Sequence, residues 1–112
     1  MILTTEKIND IFTINLKGEI DASSSLELDK KLEMVIKNGY KKILVNCKDL
    51  DYISSAGLGV FTSYVQDIHE KNIKMILCAL KENVYEVFCL LGLDSIIPIV
   101  NTIDEAMEKL ND

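Results

Sequence analysis

The chain has 112 residues, of which 48% are hydrophobic, and it carries a formal net charge of −6 at pH 7. This length and apolar content suit one domain, residues 1–112, with a core that needs neither disulfides nor a metal. The acidic balance argues against direct binding of nucleic acid, because a protein that grips a phosphate backbone needs a basic stripe. No apolar run approaches the ~20 residues required to cross a bilayer, so we expect no membrane insertion.

The cysteine pattern predicts a reducing compartment, and therefore a cytoplasmic protein. Cys47, Cys78 and Cys89 lie in apolar runs, are odd in number and form no C-x-x-C pair. Such residues are typical of small buried hydrophobes rather than of metal ligands or redox centres. We expect no metal site and no cofactor.

The first third of the chain predicts a hairpin and a helix. Residues 2–7 indicate a weak strand, a turn follows at Asn9-Asp10, and apolar residues then alternate with polar ones from Phe12 to Lys17, as in a strand with one solvated face. From Ser25 the apolar residues take helical spacing, and Asn38-Gly39 closes this helix with residues that accept a left-handed conformation. The apolar face consists of Leu28, Leu32, Val35 and Ile36.

The rest of the chain alternates between buried strands and helices. The apolar runs 43–47, 73–80 and 96–100 predict strands, and Pro98 places the last of them at a sheet edge because proline has no N–H to donate. Each run is followed by apolar residues at helical spacing, and Gly92 ends the third helix. The apolar faces of these helices are Leu58, Phe61, Val65 and Ile68; Val84, Val87, Phe88 and Leu91; and Ile103, Ala106, Met107 and Leu110.

This order of elements predicts an α/β fold. Strand and helix alternate three times after the hairpin, which builds right-handed crossovers around a mixed, mainly parallel sheet of four to five strands packed with about four helices. In open sheets of this kind, ligands and partners meet the carboxyl ends of the strands.

Two serines and two glycines follow the strand 43–47 where a helix begins. We expect Ser55 to be the N-cap, where a side-chain oxygen accepts N–H groups of the first helical turn. The positive end of a helix dipole also tolerates a phosphate, so Ser55 is a candidate for phosphorylation as well, although most N-cap serines are purely structural. Gly57 and Gly59 either let a partner approach the helix closely or merely satisfy a tight turn and close packing on the sheet.

The residues around these serines do not form a catalytic constellation. A nucleophilic serine needs a base within ~3 Å. The one histidine, His69, is 14 residues from Ser55 and therefore roughly 20 Å away along a continuous helix. Asp49 and Asp51 are expected to be solvated loop carboxylates rather than cation ligands. We therefore expect a binding protein and not an enzyme.

Several motifs resemble those of STAS domains of the bacterial anti-sigma-factor-antagonist type, and the resemblance covers nearly the whole chain. They are Gly18-Glu19-Ile20-Asp21, Asp49-Leu50, Tyr52-Ile53-Ser54-Ser55-Ala56-Gly57-Leu58-Gly59-Val60 and Leu91-Gly92-Leu93.

The resemblance implies a partner-switching protein. Its partners would be an anti-sigma factor that is also a serine kinase and a serine phosphatase that reverses the modification. Carried over by position, the phosphorylated residue is Ser55, with Ser54 as second choice. The implied partner-binding residues are Asp21, Ser54, Ala56, Gly57, Leu58 and Gly59.

This chain departs from the best-known regulated members, which resemble Asp-Ser-Ser/Thr-Gly at the turn. Ser54 stands in place of the aspartate, and Ala56 in place of the second hydroxyl. The alternative function is therefore an accessory subunit of a membrane-associated transport or signalling complex, in which Ser55 has only a structural role.

Overall fold

The computed structural model describes residues 1–112 and contains five strands and four α-helices. In chain order these are β1 (Ile2–Ile8), β2 (Ile11–Ile20), α1 (Ser24–Lys37), β3 (Lys42–Ile53), α2 (Ser55–Glu70), β4 (Lys74–Cys78), α3 (Glu82–Leu90), β5 (Ile99–Val100) and α4 (Ile103–Leu110), with a short 3₁₀ helix, Leu93–Ser95, after α3.

The strands form one sheet in the order β1-β2-β3-β4-β5. β1 and β2 are antiparallel, and every other neighbouring pair is parallel. Asn9, with φ of 56°, and Asp10 form the hairpin turn, and Gly39 and Gly92 adopt the left-handed conformation just beyond α1 and α3. The predicted α/β class, the mixed sheet and the four helices are therefore confirmed.

The lengths of the parallel strands differ from the prediction. β3 continues six residues past Cys47 to Ile53, so Asp49 and Asp51 lie on a strand and not on a loop. The spacing of buried residues disguised this extension, since Leu50 and Ile53 are three residues apart with two exposed residues between them, and this is not the period of two that indicates a strand. β4 and β5 are shorter than expected, and β5 occupies the predicted edge directly after Pro98.

Helices cover both faces of the sheet. α1, α2 and α3 pack on one face, where their apolar residues join the main core. α4 packs on the other face, where Ala106 and Leu110 contact a smaller core that includes Ile11 and Leu44. The expectation of one solvated face for β2 was therefore wrong at Thr13, which is only 3% exposed, but it holds further along the strand, where Lys17 is exposed.

No α-helix in the protein has both the length and the apolar character needed to cross a membrane.

A hydrogen bond between side chains fixes α2 against α1. The Tyr64 hydroxyl donates to the Asp29 carboxylate at 2.6 Å, and both residues are partly buried. On the opposite flank, the rings of Phe61 in α2 and Phe88 in α3 lie 5.9 Å apart between centroids. Contacts on both sides therefore hold α2 in place between α1 and α3.

We predict that Tyr64→Phe lowers the free energy of unfolding by about 0.5–1.5 kcal/mol, because it removes one partly buried hydrogen bond and keeps the ring. Chemical denaturation measures this change. Tyr52→Phe is the matched control, since Tyr52 is 48% exposed and its hydroxyl makes no hydrogen bond within the protein. Equal stability of the two variants would contradict the prediction.

Candidate functional site at the start of α2

Two adjacent strand ends meet where α2 begins. β2 and β3 run parallel, with Ile20 opposite Ile53, their last residues. The N–H of Ser54 then donates to the carbonyl oxygen of Ile20 at 2.8 Å. Asp21 and Ser54 each follow one of these strand ends, so the structure brings them to the same edge of the sheet.

Ser54, and not Ser55, is the N-cap of α2. Its hydroxyl oxygen accepts a hydrogen bond from the N–H of Gly57 at 3.2 Å, and its backbone is extended. Ser55 is the first helical residue. The expectation of a cap at Ser55 was therefore wrong by one position, because β3 runs up to Ile53 and makes Ser54 the single link between strand and helix.

Ser55 is exposed, and its hydroxyl makes no hydrogen bond within the protein. The N–H groups of Ser55 and Ala56 have no acceptor either, since the first N–H of α2 bonded within its backbone is that of Leu58, which donates to Ser54. The first turn contains no acidic side chain. A free hydroxyl thus lies beside two free donors at the positive end of a 16-residue helix, which favours a negative charge there.

The two glycines have different surroundings. A Cβ added to Gly57 would lie 2.8 Å from side-chain carbons of both Ile20 and Ile53, so Gly57 allows α2 to approach the strand ends closely. A Cβ on Gly59 would meet nothing within 4 Å, and Gly59 is exposed. Close packing therefore explains why residue 57 is a glycine, whereas neither the turn nor the packing requires a glycine at residue 59.

The proposed partner-binding residues are only partly on the surface. Asp21, Ala56 and Gly59 are exposed, and Ser54 is half-buried. Gly57 and Leu58 are buried, with Leu58 only 3% exposed, so they position α2 and present no side chain to a partner. We call the accessible set, Asp21, Ser54, Ser55, Ala56 and Gly59, the serine-turn surface.

Asp21 is an ionised carboxylate held by two serines. Its Oδ1 accepts hydrogen bonds from the N–H of Ser24 at 2.8 Å, the hydroxyl of Ser24 at 2.9 Å and the hydroxyl of Ser23 at 3.0 Å. These bonds, that from the Ser24 N–H first, lower the pKa of Asp21 from 3.8 to about 2. The carboxylate supports the start of α1 and keeps a fixed negative charge beside the serine turn.

Sequence reasoning missed a third strand end at this edge. The Lys81 ammonium forms an ion pair with Asp51, and the Asn83 side chain donates to the carbonyl oxygen of Asp51 at 3.0 Å. These contacts join the start of α3 to β3 just before the serines. Lys81 and Asn83 follow β4, and the rule that parallel strands end at one edge could have identified them.

The geometry separates Ser55 from His69 and groups no set of metal ligands. α2 is one continuous helix, so Ser55 and His69 lie roughly 21 Å apart along its axis. Cys47 and Cys78 are buried, and burial raises the pKa of both thiols, which keeps them protonated and unreactive. No three His, Cys, Asp or Glu residues are grouped so that they could hold a metal ion.

We predict that Gly57→Ala destabilises the protein by about 1–3 kcal/mol, because its methyl group would overpack Ile20 and Ile53. Gly59→Ala is the matched control on the same helix, and we expect it to be neutral or to stabilise by up to ~1 kcal/mol, since alanine favours helix over glycine. Chemical denaturation of both variants distinguishes them, and a neutral Gly57→Ala would contradict the close approach.

We predict that acid destabilises the protein partly through Asp21. Because its folded pKa is depressed, its contribution to stability is present above its ordinary value of 3.8 and is lost as the pH falls towards about 2. Asp21→Asn should flatten this part of the pH profile, and a carboxyl NMR titration should give a midpoint near 2. A midpoint near the ordinary value would contradict the serine cluster.

Comparison with known proteins places these features in one family. The family model described as "STAS domain" matches residues 3–106. The chain is 32% identical over 106 residues to a protein of Bordetella bronchiseptica named "Putative anti-sigma factor antagonist BtrV", and the match covers 95% of this chain and 91% of that protein.

Solved structures agree with the fold. The crystal structure of a protein from Thermotoga maritima described as "a putative anti-sigma factor antagonist" has a TM-score of 0.92 and 26% identity, and the match covers 98% of this chain and 95% of that one. The Bacillus protein SpoIIAA in its phosphorylated form has a TM-score of 0.76 and 22% identity, and the match covers 96% of this chain and 98% of that one. This likeness supports the fold. The chain belongs to the STAS domain family, in the group of anti-sigma factor antagonists.

Proposed function

We propose that this protein is a cytoplasmic anti-sigma factor antagonist switched by phosphorylation of Ser55. In the unphosphorylated state it binds an anti-sigma factor with serine kinase activity and thereby frees a sigma factor for transcription. The kinase phosphorylates Ser55 and ends the complex, and a serine phosphatase restores the binding form. The observation that carries the proposal is the exposed, unbonded Ser55 hydroxyl on the serine-turn surface.

The choice of Ser55 over Ser54 rests on what each hydroxyl already does. The oxygen of Ser54 is half-buried and caps Gly57, so a phosphate on Ser54 would remove a cap worth about 1 kcal/mol. The oxygen of Ser55 can be modified without breaking any hydrogen bond of the fold. A kinase also reaches an exposed hydroxyl more easily than one inside a cap.

A phosphate on Ser55 would act locally. It adds about −1.5 to −2 charges and three acceptor oxygens at the centre of the docking surface, where a partner would have to desolvate it. The free N–H groups of Ser55 and Ala56 and the helix dipole would favour this charge, so the domain need not unfold. Asp21 already carries a negative charge nearby, so phosphorylation makes the surface strongly anionic.

Ser54 stands where the best-known regulated members have an aspartate, and it keeps the structural role of that aspartate. An aspartate and a serine are comparable N-caps, and Ser54 fills that role here. Ala56 is exposed and bears no hydroxyl, so it cannot compete with Ser55 for a phosphate. Both departures leave Ser55 as the one exposed hydroxyl of the turn.

We predict that Ser55→Glu lowers the affinity for the anti-sigma factor at least tenfold, since ~1.4 kcal/mol of repulsion suffices for that factor. Affinity capture from a lysate of the source cell with wild-type and variant baits, followed by calorimetry on the captured kinase, measures the loss. Ser63→Glu is the matched control because Ser63 is an exposed serine two turns further along α2. It adds the same charge away from the serine turn and should bind like the wild type.

Two results would contradict the switch. Equal affinity of the wild type and Ser55→Glu for the kinase would exclude control through this residue. Capture of transport or scaffold proteins by both baits, with no phosphate on Ser55, would instead support the accessory-subunit function. In that case the serines would serve only to begin α2.

A further inference from the structure

A cleft of about 590 Å³ lies at the opposite end of α2 from the serine turn. Its walls come from the last turns of α2, the start of β4, residues 96–98 and the end of α4. The volume is within the range of ~300–1,000 Å³ that is usual for small-molecule sites. Seven of its twelve lining residues are hydrophobic, and Ile73, Met75 and Ile97 among them are buried.

The cleft exists because β5 is too short to cover β4. On the β5 side of β4, the N–H groups of Leu77 and Ala79 donate to Pro98 at 2.9 Å and to Val100 at 3.1 Å. Before Pro98 the chain turns away, since the N–H of Ile97 donates back to Leu93 at 2.8 Å. The chain before Pro98 therefore diverges from β4 near Met75.

This separation leaves a backbone donor in the cleft. Lys74 donates its N–H to Lys41 on the β3 side, so the N–H of the next residue, Met75, points to the β5 side, where no backbone carbonyl accepts it. Met75 is only 3% exposed. Met75 lines the cleft, so a ligand with an acceptor oxygen would satisfy this N–H.

Two lysines and one acid line the cleft, although the protein as a whole is acidic. They are Lys74, Lys109 and Asp112. The Lys74 ammonium is engaged, because it donates to the backbone carbonyl of Asp112 at 2.6 Å. The Lys109 ammonium forms neither an ion pair nor a hydrogen bond within the protein, and so remains available to an anion.

We propose that this cleft binds a small amphipathic carboxylate of the medium-chain fatty acid class. The alkyl chain lies against Ile68, Ile96 and Pro98, and the carboxylate accepts hydrogen bonds from the Lys109 ammonium and the Met75 N–H. An apolar wall, a free cation and an unpaired donor are the three features that such a ligand needs. The site is independent of the serine turn, which lies roughly 21 Å away along α2.

The test is an NMR titration of the full chain with decanoate, kept below the concentration at which it forms micelles. We expect saturable shifts of the Met75, Ile97 and His69 amides and unchanged amides at the serine turn. Absence of saturable shifts, or shifts confined to other surfaces, would overturn the proposal. Because this readout does not involve a protein partner, its failure would leave the proposed function of Ser55 untouched.

Three variants make the test specific. Ile96→Trp should abolish decanoate binding by filling the cleft, and the fold should tolerate it because Ile96 lines the cleft and is 52% exposed. Lys109→Gln should weaken decanoate about tenfold, the ordinary value of one charged hydrogen bond. Lys37→Gln, an exposed lysine at the end of α1, is the control and should bind like the wild type.

The uncharged analogue 1-decanol tests the carboxylate. We expect it to bind about tenfold more weakly than decanoate and to be insensitive to Lys109→Gln. Equal affinity of the alcohol and the acid would overturn the assignment of an anionic ligand. Unchanged decanoate binding by a folded Ile96→Trp would likewise exclude this cleft as the site.

Discussion

The hydrogen bond from the Ser54 N–H to the Ile20 carbonyl is the contact on which the candidate site depends. It continues the pairing of β2 and β3 by one step beyond their last residues, and the chain turns into α2 immediately afterwards. The turn is this tight only because Gly57 has no side chain to collide with Ile20 and Ile53. One backbone bond and one missing Cβ thus fix the start of α2, and with it the position of Ser55.

The two serines divide the work of the turn between them. The Ser54 hydroxyl caps α2, whereas the Ser55 hydroxyl makes no hydrogen bond within the fold. A modification at Ser55 can therefore change the charge of the surface while the cap, the strand pairing and the core stay intact. Charged residues from three neighbouring strands surround Ser55. Asp21 follows β2, Asp51 lies near the end of β3, and Lys81, which forms an ion pair with Asp51, follows β4.

Sequence periodicity predicted the elements well where one face of each was consistently apolar. The hairpin, the four helices, the left-handed residues Gly39 and Gly92 and the edge position of β5 all followed from local patterns. The prediction failed where distant residues decide the outcome. β3 runs to Ile53 because β2 pairs with it, and Thr13 is buried because α4 helps to cover its face, and neither partner is visible locally. For the same reason, the sequence predicted the N-cap at Ser55 and not at Ser54, and the contact of Lys81 with Asp51 was not predicted.

The central claim is that Ser55 is the regulated residue, and the most direct test is to map phosphate on the protein isolated from its source cell. Mass spectrometry should find phosphate on Ser55 and none on Ser54, and the anti-sigma factor should accompany only the unphosphorylated fraction. Phosphate on Ser54 would contradict the account. So would the absence of phosphate from both serines, both when the sigma factor is active and when it is inactive. The start of α2 would then be a structural feature of the STAS fold and not a switch.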